Sequence, residues 1–142
     1  MSKNLEETFL DEKIAHLTFV QGVINRMAAN SFLVKGWTIA LVAALLAIAA
    51  EKVTFAYLLV VLVPVLLFWW LDTYYLIQEK LYRELYKDVA QKAPGSIDFN
   101  MDASVFKGRI DSTAKIARSS SVGPFYLVIV LLLVIMYLRS CH

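Results

Sequence analysis

Residues 53–71 form a run of 19 residues without a charge, and no other stretch constrains the chain as much. At about 1.5 Å rise per residue, a helix of that length spans the hydrocarbon core of a bilayer. The run then changes character without meeting a helix breaker. Leu71, Tyr74, Tyr75, Leu81, Tyr82, Leu85 and Val89 recur at helical steps, with Glu79, Lys80, Arg83, Glu84, Lys87 and Asp88 between them. Such a pattern describes an amphipathic rod. One long helix is expected, leaving the membrane at residues 68–75 and continuing into the cytosol to about Lys92. Pairing of Glu79 with Arg83 and of Lys80 with Glu84 at i,i+4 adds about 0.2–0.5 kcal/mol each.

Hydrophobic residues make up 59% of the 142, against roughly 45–50% in an ordinary soluble domain. The excess sits in three blocks, which indicates spans and not one large core. The first span is expected from about Gly36 to Ala50, with Lys35 snorkelling to the headgroups. Its Ala40, Ala43, Ala44, Ala47 and Ala50 are small side chains of the kind that let membrane helices approach closely. Glu51 and Lys52 are the only polar break before the second span, so residues 36–71 read as a tight transmembrane hairpin. Trp37, Trp69 and Trp70 then fall at one interface, as an aromatic belt requires. Pro64 lies inside the second span, where a static kink is expected and a hinge is the alternative. A third block, residues 122–138, holds 17 residues from Val122 to Leu138, which is short for a span. Pro124 suits its first turn, and Arg139 can snorkel at its far end.

Residues 1–35 carry four acids and four bases. No cleaved secretory signal is expected there, because the segment is neither basic enough nor apolar early enough. Asn4 and Glu7 match a capping box at a helix start. Leu10, Ile14, Leu17, Gln21, Ile24 and Ala28 then share a helical face. A helix lying on lipid is usually markedly basic, so Glu6, Glu7, Asp11 and Glu12 favour packing against protein. Residues 93–121 open with the breakers Ala93-Pro94-Gly95-Ser96 and read as a polar linker segment anchored by Ile97, Phe99, Met101, Val105, Phe106 and Ile110. Ser112-Thr113 and Ser119-Ser120-Ser121 look like pure linker. Residues 139–142 form a tail.

The expected fold is an all-α membrane protein: a transmembrane hairpin whose long second helix extends into the cytosol, an N-terminal amphipathic helix, and a short third span. Lys and Arg set its orientation. Four lie in residues 1–35 and eight in residues 72–121, against Lys52 and Arg139 elsewhere. The positive-inside rule puts the N-terminus in the cytoplasm and the C-terminus outside. Net charge of +2 without a basic cluster argues against nucleic-acid binding. A single cysteine, Cys141, excludes an internal disulfide, reads as a bystander thiol, and is expected on the outside.

No zinc, P-loop, dinucleotide or nucleophile-elbow motif occurs, so no catalytic residue, metal ligand or cofactor site is assigned. His16 and His142 fall on opposite sides of the membrane and cannot share a proton or a metal. Asp72 is the titratable group of most interest. It follows Trp69-Trp70-Leu71, and partial burial would raise its pKa and make it an interfacial switch with Lys35 as its partner. The competing reading is an ordinary carboxylate where the helix exits. The spans offer little polar lining beyond Thr38 and Thr54, so a pore made of them would be apolar.

At QGVINRMAANSFLVK (21–35), Gly36-Trp37 and FWWLDTYYLIQEKLYRELYKDV (68–89), the chain resembles a group of small bacterial inner-membrane proteins carried on mobile genomic islands near stress or antiphage genes. More loosely, two spans with cytosolic helices are similar to the SLATT-type effectors of bacterial conflict systems. Those effectors imply a membrane-acting oligomer, although their simplest members lack a third span. The resemblance implies a non-enzymatic, oligomeric inner-membrane protein that perturbs the membrane or forms pores in bacterial defence. The alternative is a structural or adaptor subunit that docks a cytosolic protein partner through its helices. Lipid is the first partner. A homo-oligomer of four or more chains is expected through Ala40, Ala44, Ala47, Tyr75, Tyr82, Leu85 and Val89, because water cannot satisfy an exposed Tyr/Leu seam.

Overall fold

A computed structural model of the chain describes residues 2–48 and 54–140, and all their regular structure is helical. Helix α1 is Ser2–Ile48, and α2 is Phe55–Gln91. Short 3-10 turns at Pro94–Ser96 and Ala103–Arg109 follow, then α3, Thr113–Ala117, and α4, Gly123–Ser140. Three of these helices, α1, α2 and α4, are long and apolar enough to cross a membrane, with windows of mean hydropathy 2.0, 2.2 and 2.0. The break at Glu51–Lys52, together with Ala50, Cys141 and His142, lies outside the described residues.

Helix α1 differs from the expected layout in two ways. It runs unbroken for 47 residues, so the segments expected to be a separate amphipathic helix and a first span are one helix. Gly36 carries too small a penalty, about 1 kcal/mol relative to Ala, to break a helix of that length. The helix also begins at Ser2, which places Asn4 inside the first turns, where its carbonyl accepts from Thr8 Oγ1 at 2.8 Å. Asn4 with Glu7 is therefore not the cap. Helix α2 passes through Pro64 and ends at Gln91, next to the breaker cluster.

The chain divides into two compact units. The first comprises residues 2–29 and 76–111. Its core joins Val20 and Ile24 of α1, Leu81, Leu85 and Val89 of α2, and Ala103 and Phe106 of the second 3-10 turn. The four-residue spacing of 81, 85 and 89 keeps those side chains on one face. The buried face of α1 is rotated from the expected one: His16, Val20 and Ile24 are buried, whereas Leu10, Ile14, Gln21 and Ala28 are exposed. Two contacts fix that rotation. Lys13 Nζ donates to the carbonyls of Ala90 and Lys92 at 2.7 and 2.9 Å, binding the orphan end of α2, where a cation is favoured. One turn on, His16 has its Nε2 3.2 Å from the Asn100 carbonyl and stacks on Phe99 at 5.4 Å.

The stretch expected to be a linker contributes structure here. Asp98, Asn100 and Asp102 each accept from the backbone N–H two residues on, at 3.2, 2.9 and 2.9 Å. These turns carry the chain through Phe99, whose φ of 53° is unusual for a bulky residue. The Asn100 N–H holds the Asp98 carboxyl below the usual carboxylate range, with Lys92 adding to the effect. Ser104, through its side chain and backbone, does the same for Asp102. The ion pairs depart from expectation at one point. Arg83 pairs with Glu79 at 2.7 Å, but Lys80 reaches Asp111 at 3.4 Å, and Glu84 is taken by Lys87 at 2.5 Å. These pairs line a shallow groove of about 500 Å³ that is also bordered by Gly108 and Arg109.

The second unit comprises residues 30–48, 54–75 and 112–140. Each helix buries one stripe: Ser31, Val34, Thr38 and Val42 on α1; Val61, Val65, Asp72 and Thr73 on α2; Tyr126 and Leu133 on α4, with Val122 buried just before it. Tyr57 donates to the Leu45 carbonyl, and Phe55 meets Tyr137 edge-on at 6.2 Å. Gly123 is required where it stands, since a Cβ there would lie 2.9 Å from the Arg118 carbonyl oxygen. The remaining surface of the three apolar windows is open. Only 22%, 17% and 11% of the three windows is buried.

Candidate functional site: a buried charged cluster on three helices

Ser31, Lys35 and Thr38 are spaced by four and three residues on α1, so they lie along one helix face. Opposite them, α2 presents Asp72 with no solvent exposure. The Ser31 hydroxyl donates to Asp72 Oδ1. Lys35 Nζ lies 2.6 Å from Asp72 Oδ2, an ion pair by distance that falls outside hydrogen-bond geometry. The same ammonium donates to Ser31 Oγ at 3.1 Å, which closes a triangle of hydroxyl, carboxylate and ammonium.

A third helix completes the cluster. Tyr126 of α4 is fully buried and donates its hydroxyl to the Phe68 carbonyl at 3.1 Å, one turn before Asp72. Thr38 and Asp72 are also neighbours of that hydroxyl. Trp69 stacks on the Tyr126 ring at 5.9 Å and donates its indole N–H to the Ala117 carbonyl at 3.0 Å. The buried hydroxyls of Thr38 and Thr73 donate to Val34 and Trp69 carbonyls within their own helices at 2.7 and 2.8 Å.

Removing two charges from water costs several kcal/mol each, and mutual attraction offsets this only when further hydrogen bonds complete the site. Ser31 supplies one such bond to Asp72. Lys35 keeps one-fifth of its side chain exposed, so its ammonium is less completely desolvated than the carboxylate. Chemically, the cluster fixes the register of α1, α2 and α4 at one level. The Ser31 proton is committed to Asp72, so the hydroxyl is held as a structural donor.

Among the residues singled out in the sequence, the structure brings Lys35 and Asp72 together in this cluster and places the others elsewhere. Ala40, Ala44 and Ala47 are exposed on α1, and Tyr75 is half-buried. Leu85 and Val89 are buried in the core of the first unit, with Tyr82 packed against it, so the Tyr/Leu seam is covered largely by the chain's own helices. The argument that water leaves Leu85 and Val89 in need of a neighbouring chain therefore fails for those two. Helix α1 and the turn at residues 103–109 meet that need from within. Ser31, Thr38 and Tyr126 were missed as members of the cluster. The Ser31/Lys35/Thr38 spacing carried a usable signal, but nothing local points from Tyr126 to Asp72.

Among the described residues, no three His, Cys, Asp or Glu side chains converge as metal ligands. No protein family, curated protein or solved structure matches the chain.

Proposed function

We propose that the protein is a non-enzymatic inner-membrane protein that assembles into homo-oligomers of four or more chains and acts on the membrane itself, as an effector of bacterial defence. In this reading α1 and α2 form the transmembrane hairpin, the first unit is cytosolic, and α4 is the third span with its C-terminal end outside. The observation that carries it is the exposed Ala40, Ala44 and Ala47 ridge within an apolar window of α1. Small residues at one-turn spacing permit close helix packing in lipid, and among the described residues no helix covers them. The resemblance of residues 21–37 and 68–89 to island-borne inner-membrane proteins supplies the defence setting.

Native mass in nanodiscs tests it. The wild type is expected as a discrete oligomer, and Ala40→Leu/Ala44→Leu/Ala47→Leu is expected to shift it toward monomer while still inserting. A monomeric wild type, or a triple variant of unchanged mass, refutes the reading.

A second reading, an adaptor that docks a cytosolic protein, draws support from the first unit. Leu10, Ile14 and Phe19 are exposed there, beside a shallow groove between Ile14, Leu17, Gly22 and Tyr86. A monomer that binds a protein partner through that groove, and loses it on Ile14→Glu, is the outcome that selects this reading.

A further inference from the structure

Two shallow apolar grooves lie side by side on the first unit, one on each flank of α1. The first, of about 520 Å³, runs between Ile14, Leu17 and Tyr86. The second, of about 470 Å³, lies beside Phe19, Val23 and Met101. Thr18 and Gly22 border both, so the ridge between the grooves is low. That ridge is exposed and stands opposite the buried His16, Val20 and Ile24. Each flank also carries a large apolar side chain in the open: Ile14 is 53% exposed and Phe19 60%. In the membrane reading above this unit is cytosolic, so water faces both.

The two flanks fit each other. Copies inserted in one bilayer with the same orientation share the direction of α1, so α1 can meet α1 only in parallel. Across a two-fold axis between parallel helices, a residue on one flank faces the residue five positions on along the partner's opposite flank. Ile14 and Phe19 are five positions apart. Phe19 of each copy is then brought to the groove that Ile14 borders on the other, and the contact occurs twice, as an isologous interface requires. Gly22 has no use within one chain. Glycine weakens a helix relative to alanine, yet a Cβ at Gly22 would meet nothing within 4 Å. Between two copies its missing side chain lets the backbones approach. Toward the N-terminus the exposed Glu7 and Asp11 would gather like charges at the axis, so the contact begins at Ile14.

We infer that a second copy of this chain docks on the first unit, parallel and two-fold, with Phe19 of each copy seated in the groove between Ile14, Leu17 and Tyr86 of the other. This rests on the homo-oligomeric membrane reading and deepens it, because the four or more chains are then assembled from pairs. It also puts a second copy where the adaptor reading puts a foreign protein. Leu17 and Tyr86 already pack against the core, so the groove is a fixed wall and Phe19 the side chain that fills it.

Disulfide trapping in membranes, on the full-length chain with its one cysteine removed as Cys141→Ser, provides the test. Gly22→Cys and Thr18→Cys are each expected to give a covalent dimer on mild oxidation. Val105→Cys, 69% exposed on the second 3-10 turn, is expected to give none. Adding Phe19→Glu to Gly22→Cys is expected to lower the dimer yield roughly tenfold or more, since a buried phenylalanine is lost from each half. All four positions are exposed, and circular dichroism of the variants checks that the helices persist. Absence of the dimer from both ridge variants overturns the inference, as does an equal yield from Val105→Cys or a yield that Phe19→Glu leaves unchanged. A foreign protein trapped at Gly22→Cys overturns it as well and selects the adaptor. Native mass in nanodiscs separates this failure from that of the parent reading. An oligomer with an odd number of chains overturns the pairing and leaves the homo-oligomer standing, whereas a monomeric wild type strikes both.

Discussion

Replacing Lys35 with Met isolates the energetics of the buried cluster. Methionine keeps the unbranched stem and a high helix propensity, so α1 itself is undisturbed. What changes is that Asp72, with no exposure, loses its counter-charge. Removing one partner of a buried pair costs about 3–5 kcal/mol. Lys35 is one-fifth exposed and Ser31 still donates to Oδ1, so the lower end applies, about 3 kcal/mol. Asp72→Asn is milder, about 1–2 kcal/mol, because the amide oxygen still accepts from Ser31 and the freed lysine can extend to water or headgroups. The double variant removes both charges together, so its loss should fall about 2 kcal/mol short of the sum of the two single losses, at about 2–3 kcal/mol. Reversible unfolding in mixed micelles, titrated with denaturing detergent, measures all four proteins. Single variants that each lose less than about 0.5 kcal/mol, or losses that simply add in the double variant, would show that the pair behaves like an exposed surface bridge.

Leu85→Ala should cost about 2–5 kcal/mol, since Leu85 is 4% exposed in the core of the first unit. Hydrogen exchange should then show residues 103–109 opening while amides of 123–140 keep their protection, and uniform loss across both units would contradict the division. The turns at residues 98–104 should loosen in acid. Asp98 and Asp102 have carboxyl pKa values held below the ordinary 3.8, so their contribution is complete above that pH and is lost as pH falls through the depressed folded values. Amide exchange at Asn100 and Ser104 followed below pH 4 checks the sign, and protection that rises on acidification would refute it.

Helix identity was legible in the residues because hydrophobic periodicity is local. The uncharged run at 53–71, the four-residue recurrence of Leu81, Leu85 and Val89, and the breakers after Gln91 each act within a turn or two. Pairing was legible only in part. Lys35 and Asp72 stood out as charges beside apolar blocks, but Tyr126 enters the cluster from 54 positions beyond Asp72, and no spacing rule reaches that far. The face of α1 was misread for a related reason. Leu10 and Ile14 are as apolar as Val20, and what selects among them is where Lys13 meets the end of α2. Residues 93–121 looked like linker because their polarity is high, yet Ala103, Phe106 and Ile116 were enough to bury parts of the segment once partners existed. Charge pairing went astray at Lys80 because helix spacing offers Glu84, while Asp111 competes from outside the helix.

The two units are interleaved along the chain, and this has a consequence for how the protein is made. Residues 2–29 leave the ribosome before the side chains that cover Val20 and Ile24, which lie at 81–89 and 103–106. Both apolar stretches between them must be synthesised before that core can close. Residues 2–29 therefore spend an interval with an uncovered face, during which chaperones and proteases have access to it. Once residue 111 has emerged, the first unit has all its parts, while the Tyr126 that completes the Asp72 cluster is still to come. Truncation has an equally lopsided effect. A chain stopped at Lys92 would keep both long helices and lose Ala103 and Phe106, leaving Leu81, Leu85 and Val89 partly bare. No cut in the sequence releases either unit whole.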